Sequence, residues 1–110
     1  MIGFLKRASA VLLVASAGAV FGQEVVTVSL VAKDGKFDPA TLEVPAGKRI
    51  KIEVSNEGKT PIEFESKALK FEKVLGPGAK SSVVINPLKA GEYVFFDEFH
   101  PDAKGKIVAK

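Results

Sequence analysis

The sequence predicts an all-β fold, a Greek-key antiparallel β-sandwich that follows an N-terminal signal peptide, and three observations predict it. Apolar residues recur at every second position in short runs, as at Ile50, Ile52 and Val54, the period of a strand with one buried face. Turn-forming residues bound each run: Asp34-Gly35, Ala46-Gly47, the loop over 56–61, Gly76-Pro77-Gly78 and Asn86-Pro87. Seven or eight such runs follow one another with no long helical pattern between them, the arrangement of a sandwich rather than of an α/β domain.

The chain opens with Lys6-Arg7 and then an uncharged run from Ala8 to Phe21 with small residues near its end. This is a secretory pattern, and the run falls short of the ~20 apolar residues of a membrane-spanning helix. Cleavage after Gly22, or after Ala19, gives a signal peptide over 1–22 and one exported domain over 23–110, a retained anchor being the alternative. All 13 acidic residues lie beyond the leader, which carries two of the 16 basic ones, so the net charge of +3 shrinks on cleavage. Nothing in the charge pattern calls for nucleic acid as a partner, which a concentrated basic face would signal. A domain of this length forms one modest core, and with no cysteine it has no disulfide to help it.

In order, residues 24–33 alternate, with Val26, Val28 and Leu30 on one face. After the Asp34-Gly35 turn, Phe37-Asp38-Pro39 reads as a bent crossing and residues 41–45 as an edge strand, where proline is tolerated. Residues 48–55 turn Ile50, Ile52 and Val54 inward and Lys51 and Glu53 outward. Residues 62–66 form a short strand. Residues 67–75 stay open between a helical turn and an exposed meander, since Lys67, Lys70 and Lys73 recur every third position. Val83 and Ile85 are in phase in the next strand. Leu88, Gly91 and Tyr93 then have the spacing of a sandwich corner, at which a tyrosine hydroxyl bonds back to nearby backbone. The aromatic strand around Tyr93 and Phe95 breaks at His100-Pro101, because proline has no amide hydrogen for a central ladder, and residues 105–109 form a last short strand. The predicted core is Ile50, Ile52, Val54, Phe64, Val83, Ile85, Tyr93 and Phe95.

The chemistry collects at the end of that aromatic strand. Tyr93, Phe95 and Asp97 share one face, so an inward Phe95 carries Asp97 inward too. Asp97, Glu98, His100 and Asp102 crowd four ionisable groups together, including the chain's single histidine. Glu63 and Glu65 flank Phe64 and face solvent if Phe64 is buried; they reach the Asp97 end only if a strand ends or bulges there. Close carboxylates do not all stay ionised cheaply without a cation or a lysine between them, and Lys73 and Lys104 are the lysines available. No nucleophile–base pattern or phosphate-cradling glycine loop is present.

Phe37-x-Pro39, Leu42-x-Val44-Pro45-Ala46-Gly47 and Asn56-x-Gly58, followed by Pro77-Gly78, Gly91-x-Tyr93-x-Phe95 and Gly105-x-Ile107, resemble the cupredoxins over essentially the whole mature chain. Glu63-Phe64-Glu65-Ser66, Glu72-Lys73, Pro87-Leu88 and Glu98-Phe99-His100-Pro101 resemble more closely a cysteine-free, cupredoxin-like subgroup of the bacterial periplasm. That subgroup is associated with iron uptake through a membrane iron permease and is similar to the cupredoxin-like domain of periplasmic iron-binding components. The resemblance places Asp97 where a blue-copper protein has its cysteine, and His100 at the matching histidine. Ile62 falls at the first histidine's place and Ala103 at the axial methionine's, so no type 1 site is expected. It implies a periplasmic protein with copper or iron as its ion, an iron permease as partner, and ligands drawn from His100, Glu98, Asp97, Glu63, Glu65 and Glu72. Carboxylates with one imidazole suit iron, manganese or Cu(II), with His100 expected to matter most. Three functions follow: a metal-binding accessory of ferrous-iron uptake, a copper-dependent ferroxidase, and a metal-free interaction module whose acids pair with Lys73 and Lys104.

Overall fold

Residues 24–110 are described by the computed structural model, so the signal peptide read over 1–22 lies outside the described residues. Every regular element among them is a strand: β1 Val25–Lys33, β2 Lys36–Asp38, β3 Thr41–Val44, β4 Arg49–Asn56, β5 Ile62–Ser66, β6 Phe71–Leu75, β7 Lys80–Ile85, β8 Gly91–Asp97 and β9 His100–Ala109. They build two sheets, of order β2-β1-β4-β7 and β3-β9-β8-β5-β6. The expected all-β sandwich forms, but its sheets are mixed rather than purely antiparallel. β1 runs parallel to β4, and β3 parallel to β9. The reason is the crossing at β3: the chain leaves the first sheet after β2 and returns as β4 in the direction of β1. Alternation along a strand fixes which face is buried and carries no information about a neighbour's direction.

The predicted core is buried at Ile50, Ile52, Val54, Phe64, Val83, Ile85 and Phe95. Tyr93 is half-buried against it, and its hydroxyl donates to the Lys89 carbonyl at 2.7 Å, closing the corner that the sequence suggests. Four phenylalanines form the centre. Phe64 lies 5.8 Å from Phe37, 4.9 Å from Phe71 and 5.3 Å from Phe95 between ring centroids, tilted or edge-on, the geometry aromatic quadrupoles favour. Residues 67–75 resolve as the meander: a four-residue turn over 67–70, then β6 paired back on β5 from Ser66–Phe71 to Ile62–Leu75. Ser66 Oγ holds that turn, accepting from the Leu69 amide at 3.1 Å and donating to the Val94 carbonyl at 2.9 Å.

The end of β8 differs from expectation. The chain turns at Glu98-Phe99, and β9 begins at His100, paired with Asp97. Pro101 is accommodated because the ladder is irregular between His100 and Lys104, and a bulge is one of the few places a paired strand tolerates proline. The short strand expected over 105–109 is thus the regular half of a longer one.

Candidate functional site

Alternation along β8 buries Phe95 and carries Asp97 inward, where it is 2% exposed. A buried carboxylate is stable only when its oxygens are hydrogen-bonded. Asp97 Oδ1 accepts from the backbone amides of Glu63 and Phe99, both at 2.9 Å. Its Oδ2 lies 2.6 Å from His100 Nδ1, so with Asp97 ionised that nitrogen carries the proton and donates. His100 Nε2 lies 3.1 Å from Thr60 Oγ1. Thr60 is held in turn by Asn56, a buried amide that donates to the Thr60 carbonyl at 2.8 Å and the Leu75 carbonyl at 3.1 Å while accepting from the Gly58 amide at 3.0 Å. Thr60 has no motif to announce it; its place depends on the loop that Asn56 organises.

A second set of side chains lies on the outer face of the same sheet. The register pairs Phe64 with Asp97, Glu65 with Phe96, and Glu65 with Glu72. Inward Phe64 therefore sends Glu63 and Glu65 outward beside Glu72. One carboxylate oxygen from each of Glu63, Glu65 and Glu72 lies within 4.8 Å of the other two. Glu98 is exposed on the β8–β9 turn, and its amide donates to the Glu63 carbonyl at 2.9 Å. The six candidates thus form two sets, which answers the question the sequence left open of whether Glu63 and Glu65 reach His100. The ladder irregularity falls on β9, leaving β5 regular, so Glu63 and Glu65 keep their outward face. Asp102 is exposed and joins neither set.

Charge compensation also departs from one expectation. The ion pairs of lysines among the described residues join Lys48 to Glu24, Lys51 to Glu53, Lys106 to Glu92 and Lys110 to Glu43. Neither Lys73 nor Lys104 is paired with the outer carboxylates. The Glu63 carboxyl is accordingly held above its ordinary value, first by a hydrogen bond with Glu72, then by partial burial, then by repulsion from Glu72, Glu65 and Glu98. A carboxyl raised on folding binds its proton more tightly in the native state, so its contribution to stability is present at low pH and is lost as pH rises through the raised value. Glu63→Gln is therefore expected to stabilise the metal-free protein at neutral pH and to lose that advantage on acidification below the ordinary carboxylate range. Thermal melts of both proteins across pH check this, and an advantage independent of pH counts against the clustered charges.

Two facing sheets, a tyrosine corner and a polar site at the end of the penultimate strand define a β-sandwich with its polar groups gathered at one end. Residues 6–109 match the family model described as a cupredoxin-like domain, and the chain belongs to that family. It is 38% identical over 85 residues to an uncharacterized protein of Rickettsia prowazekii (strain Madrid E), covering 76% of this chain and 68% of that one. Among solved structures it is similar to a purple cupredoxin from Nitrosopumilus maritimus, at 20% identity and a TM-score of 0.61, over 74% of this chain and 98% of that one. Auracyanin A, a blue copper protein from Chloroflexus aurantiacus, is similar at 16% identity and a TM-score of 0.66, over 79% and 100% of the two chains. The metal-binding domain of the Cu(I)-exporting ATPase CopA of Streptococcus pneumoniae D39, solved with Cu(I), is similar at 15% identity and a TM-score of 0.65, over 80% and 97%. At these identities the structural likeness is one of fold.

The residues here do not fit a type 1 copper centre. Such a centre needs two imidazoles and a thiolate, and the chain has one histidine and no cysteine. Copper added to the protein is expected to give no intense thiolate charge-transfer band; a deep blue or purple complex overturns this reading of the donors.

Proposed function

We propose that this is an exported, periplasmic metal-binding protein that serves ferrous-iron uptake beside a membrane iron permease. Its ion is held on the outer sheet face by Glu63, Glu65 and Glu72, with Glu98 alongside. One observation carries the reading: three carboxylates converge within 4.8 Å with no lysine paired between them, and one is held toward its protonated form by the others. A cation relieves that repulsion. Oxygen-only donors favour hard or borderline ions, Fe(II), Fe(III) or Mn(II), over Cu(I), which agrees with iron as the cargo. The leader and the subgroup pattern at Glu63-Phe64-Glu65-Ser66 and Glu98-Phe99-His100-Pro101 support export and the iron association. The ferroxidase alternative requires a redox-active copper centre, for which the donors at Asp97 and His100 are a poor set. The metal-free alternative rested on pairing with Lys73 and Lys104, neither of which reaches the acids.

Calorimetric titration with Fe(II) under argon, and with Mn(II) and Cu(II), tests the proposal. The triple variant Glu63→Gln, Glu65→Gln, Glu72→Gln is expected to lose more than about 100-fold in affinity, the upper range of what removing a single supporting group costs a metal site. Protons compete at Glu63, so wild-type affinity falls on acidification from a pH above the ordinary carboxylate range. Equal affinity in the triple variant, or no binding by the wild type, overturns the assignment.

A further inference from the structure

We propose that the Asp97–His100–Thr60 chain is a closed polar latch that takes no metal itself, and that Asp97, fixed within it, is the positioning residue for the outer-face carboxylates through its own bond to the Glu63 backbone. The inference rests in part on the carboxylate site just proposed. Asp97 and His100 stand where the resemblance aligns a thiolate and a histidine, so this locus invites an ion by position. Its chemistry is already complete. Asp97 accepts two backbone amides at one oxygen and faces the imidazole at the other. An ion that took these oxygens would strip hydrogen bonds from the Glu63 and Phe99 amides, and an unpaired buried donor costs more than the bond it lost.

His100 is committed at both nitrogens as well. Where an aspartate–histidine pair serves a metal, the carboxylate holds one ring nitrogen and the other points at the ion. Here the other nitrogen faces the Thr60 hydroxyl at 3.1 Å. Among the described residues, the group of three or more ligand side chains that converges is Glu63, Glu65 and Glu72, and it does not include His100.

The latch has a different consequence on the far side of the sheet. The β5–β8 ladder covers Phe64 with Asp97 and Glu65 with Phe96, so Glu63 lies just past its end. Two bonds replace the missing ladder there. The Asp97 carboxylate takes the Glu63 amide at 2.9 Å, and the Glu98 amide donates to the Glu63 carbonyl at 2.9 Å. The backbone of Glu63 is clamped at both its polar groups by two consecutive residues, the last of β8 and the first of the turn. The same clamp brings Glu98 close enough to add to the repulsion on Glu63. A carboxylate on the inner face thereby sets the spacing of carboxylates on the outer one.

Asp97→Asn, Asp97→Ala and His100→Gln separate these roles. An asparagine oxygen still accepts both amides, so Asp97→Asn is expected to keep wild-type affinity for Mn(II) and Fe(II). Asp97→Ala is expected to lose about 10-fold, the effect of losing an outer-shell partner. Electron paramagnetic resonance of the Cu(II) complex is expected to show no nitrogen coupling from the imidazole, and His100→Gln to leave the spectrum unchanged. Imidazole nitrogen coupling that disappears in His100→Gln overturns the latch, as does wild-type affinity in Asp97→Ala. If Asp97→Ala does not fold, full affinity in Asp97→Asn and an unchanged His100→Gln spectrum support the proposal, and their loss overturns it. Nitrogen-15 shifts of the metal-free protein add an arm independent of any ion. The latch requires a protonated Nδ1 on His100, and an unprotonated Nδ1 overturns it even if the wild type binds no metal and the carboxylate site itself fails.

Discussion

Gly105→Ala is expected to destabilise the domain by about 3 kcal/mol, the upper end of the cost of overpacking a core, and to lower the melting temperature by at least about 12 °C. Gly105 pairs directly with Phe95 across the β8–β9 ladder. A methyl group there meets Phe95 Cζ at 2.4 Å, Cε1 at 2.5 Å and the Ala40 carbonyl oxygen at 2.5 Å. The ring is locked against Phe37 at 5.1 Å and Phe64 at 5.3 Å. The carbonyl is fixed because it accepts the Lys106 amide at 2.8 Å. Neither neighbour yields without moving something else. Gly47→Ala is the control: its φ of +81° disfavours a side chain, but nothing lies within 4 Å, so only the backbone penalty of about 1–2 kcal/mol applies. Thermal unfolding followed by circular dichroism ranks the two, and a Gly105→Ala protein that melts with the wild type refutes the packing described here.

Phe64→Ala is expected to cost about 3–5 kcal/mol. Phe64 is fully buried and touches three other phenylalanine rings, so its removal leaves a cavity lined by stiff side chains. Against a typical total of about 5–15 kcal/mol, this leaves a marginal fold. The same change has a functional readout, because Phe64 is what turns Glu63 and Glu65 to a common face. Denaturant melts and metal titration should therefore fail together in Phe64→Ala, whereas Glu63→Gln should affect binding without loss of stability. Retention of tight binding in a destabilised Phe64→Ala protein would separate the core from the site.

The alternating runs made the sandwich and its core readable, because each buried face repeats with the pleat. Tyr93 was legible from its spacing after Leu88 and Gly91, its hydroxyl returning to Lys89 at the corner. Asp97 was placed inward by counting from Phe95. The partition of the candidates was not legible. Whether Glu63 reaches His100 depends on which strand carries the irregularity, and Pro101 marks a break without saying whether the strand resumes. Thr60 was invisible because its role depends on the loop that Asn56 organises, and Thr60 lies 40 residues before the histidine that completes the latch. The missing lysine pairs could not be read either, since Lys73 and Lys104 sit on strands whose register only the pairing fixes. Strand direction was the remaining gap, and it is where the two parallel pairs entered.

One of those pairs bears on how the polypeptide is made. β9 lies between β3 and β8 and joins Thr41–Val44 to Lys106–Ala109. Until residue 109 has been synthesised, β3 has no partner in its sheet. The nascent chain then holds β5, β6 and β8 as a fragment with an open edge. Contacts so distant along the chain are closed late and slowly. Completion of this sheet during translation is therefore penalised by topology, and its unpaired strand edges stay accessible to chaperones until β9 arrives. For a polypeptide exported as proposed, that delay leaves one of the two sheets unfinished while the chain crosses the membrane.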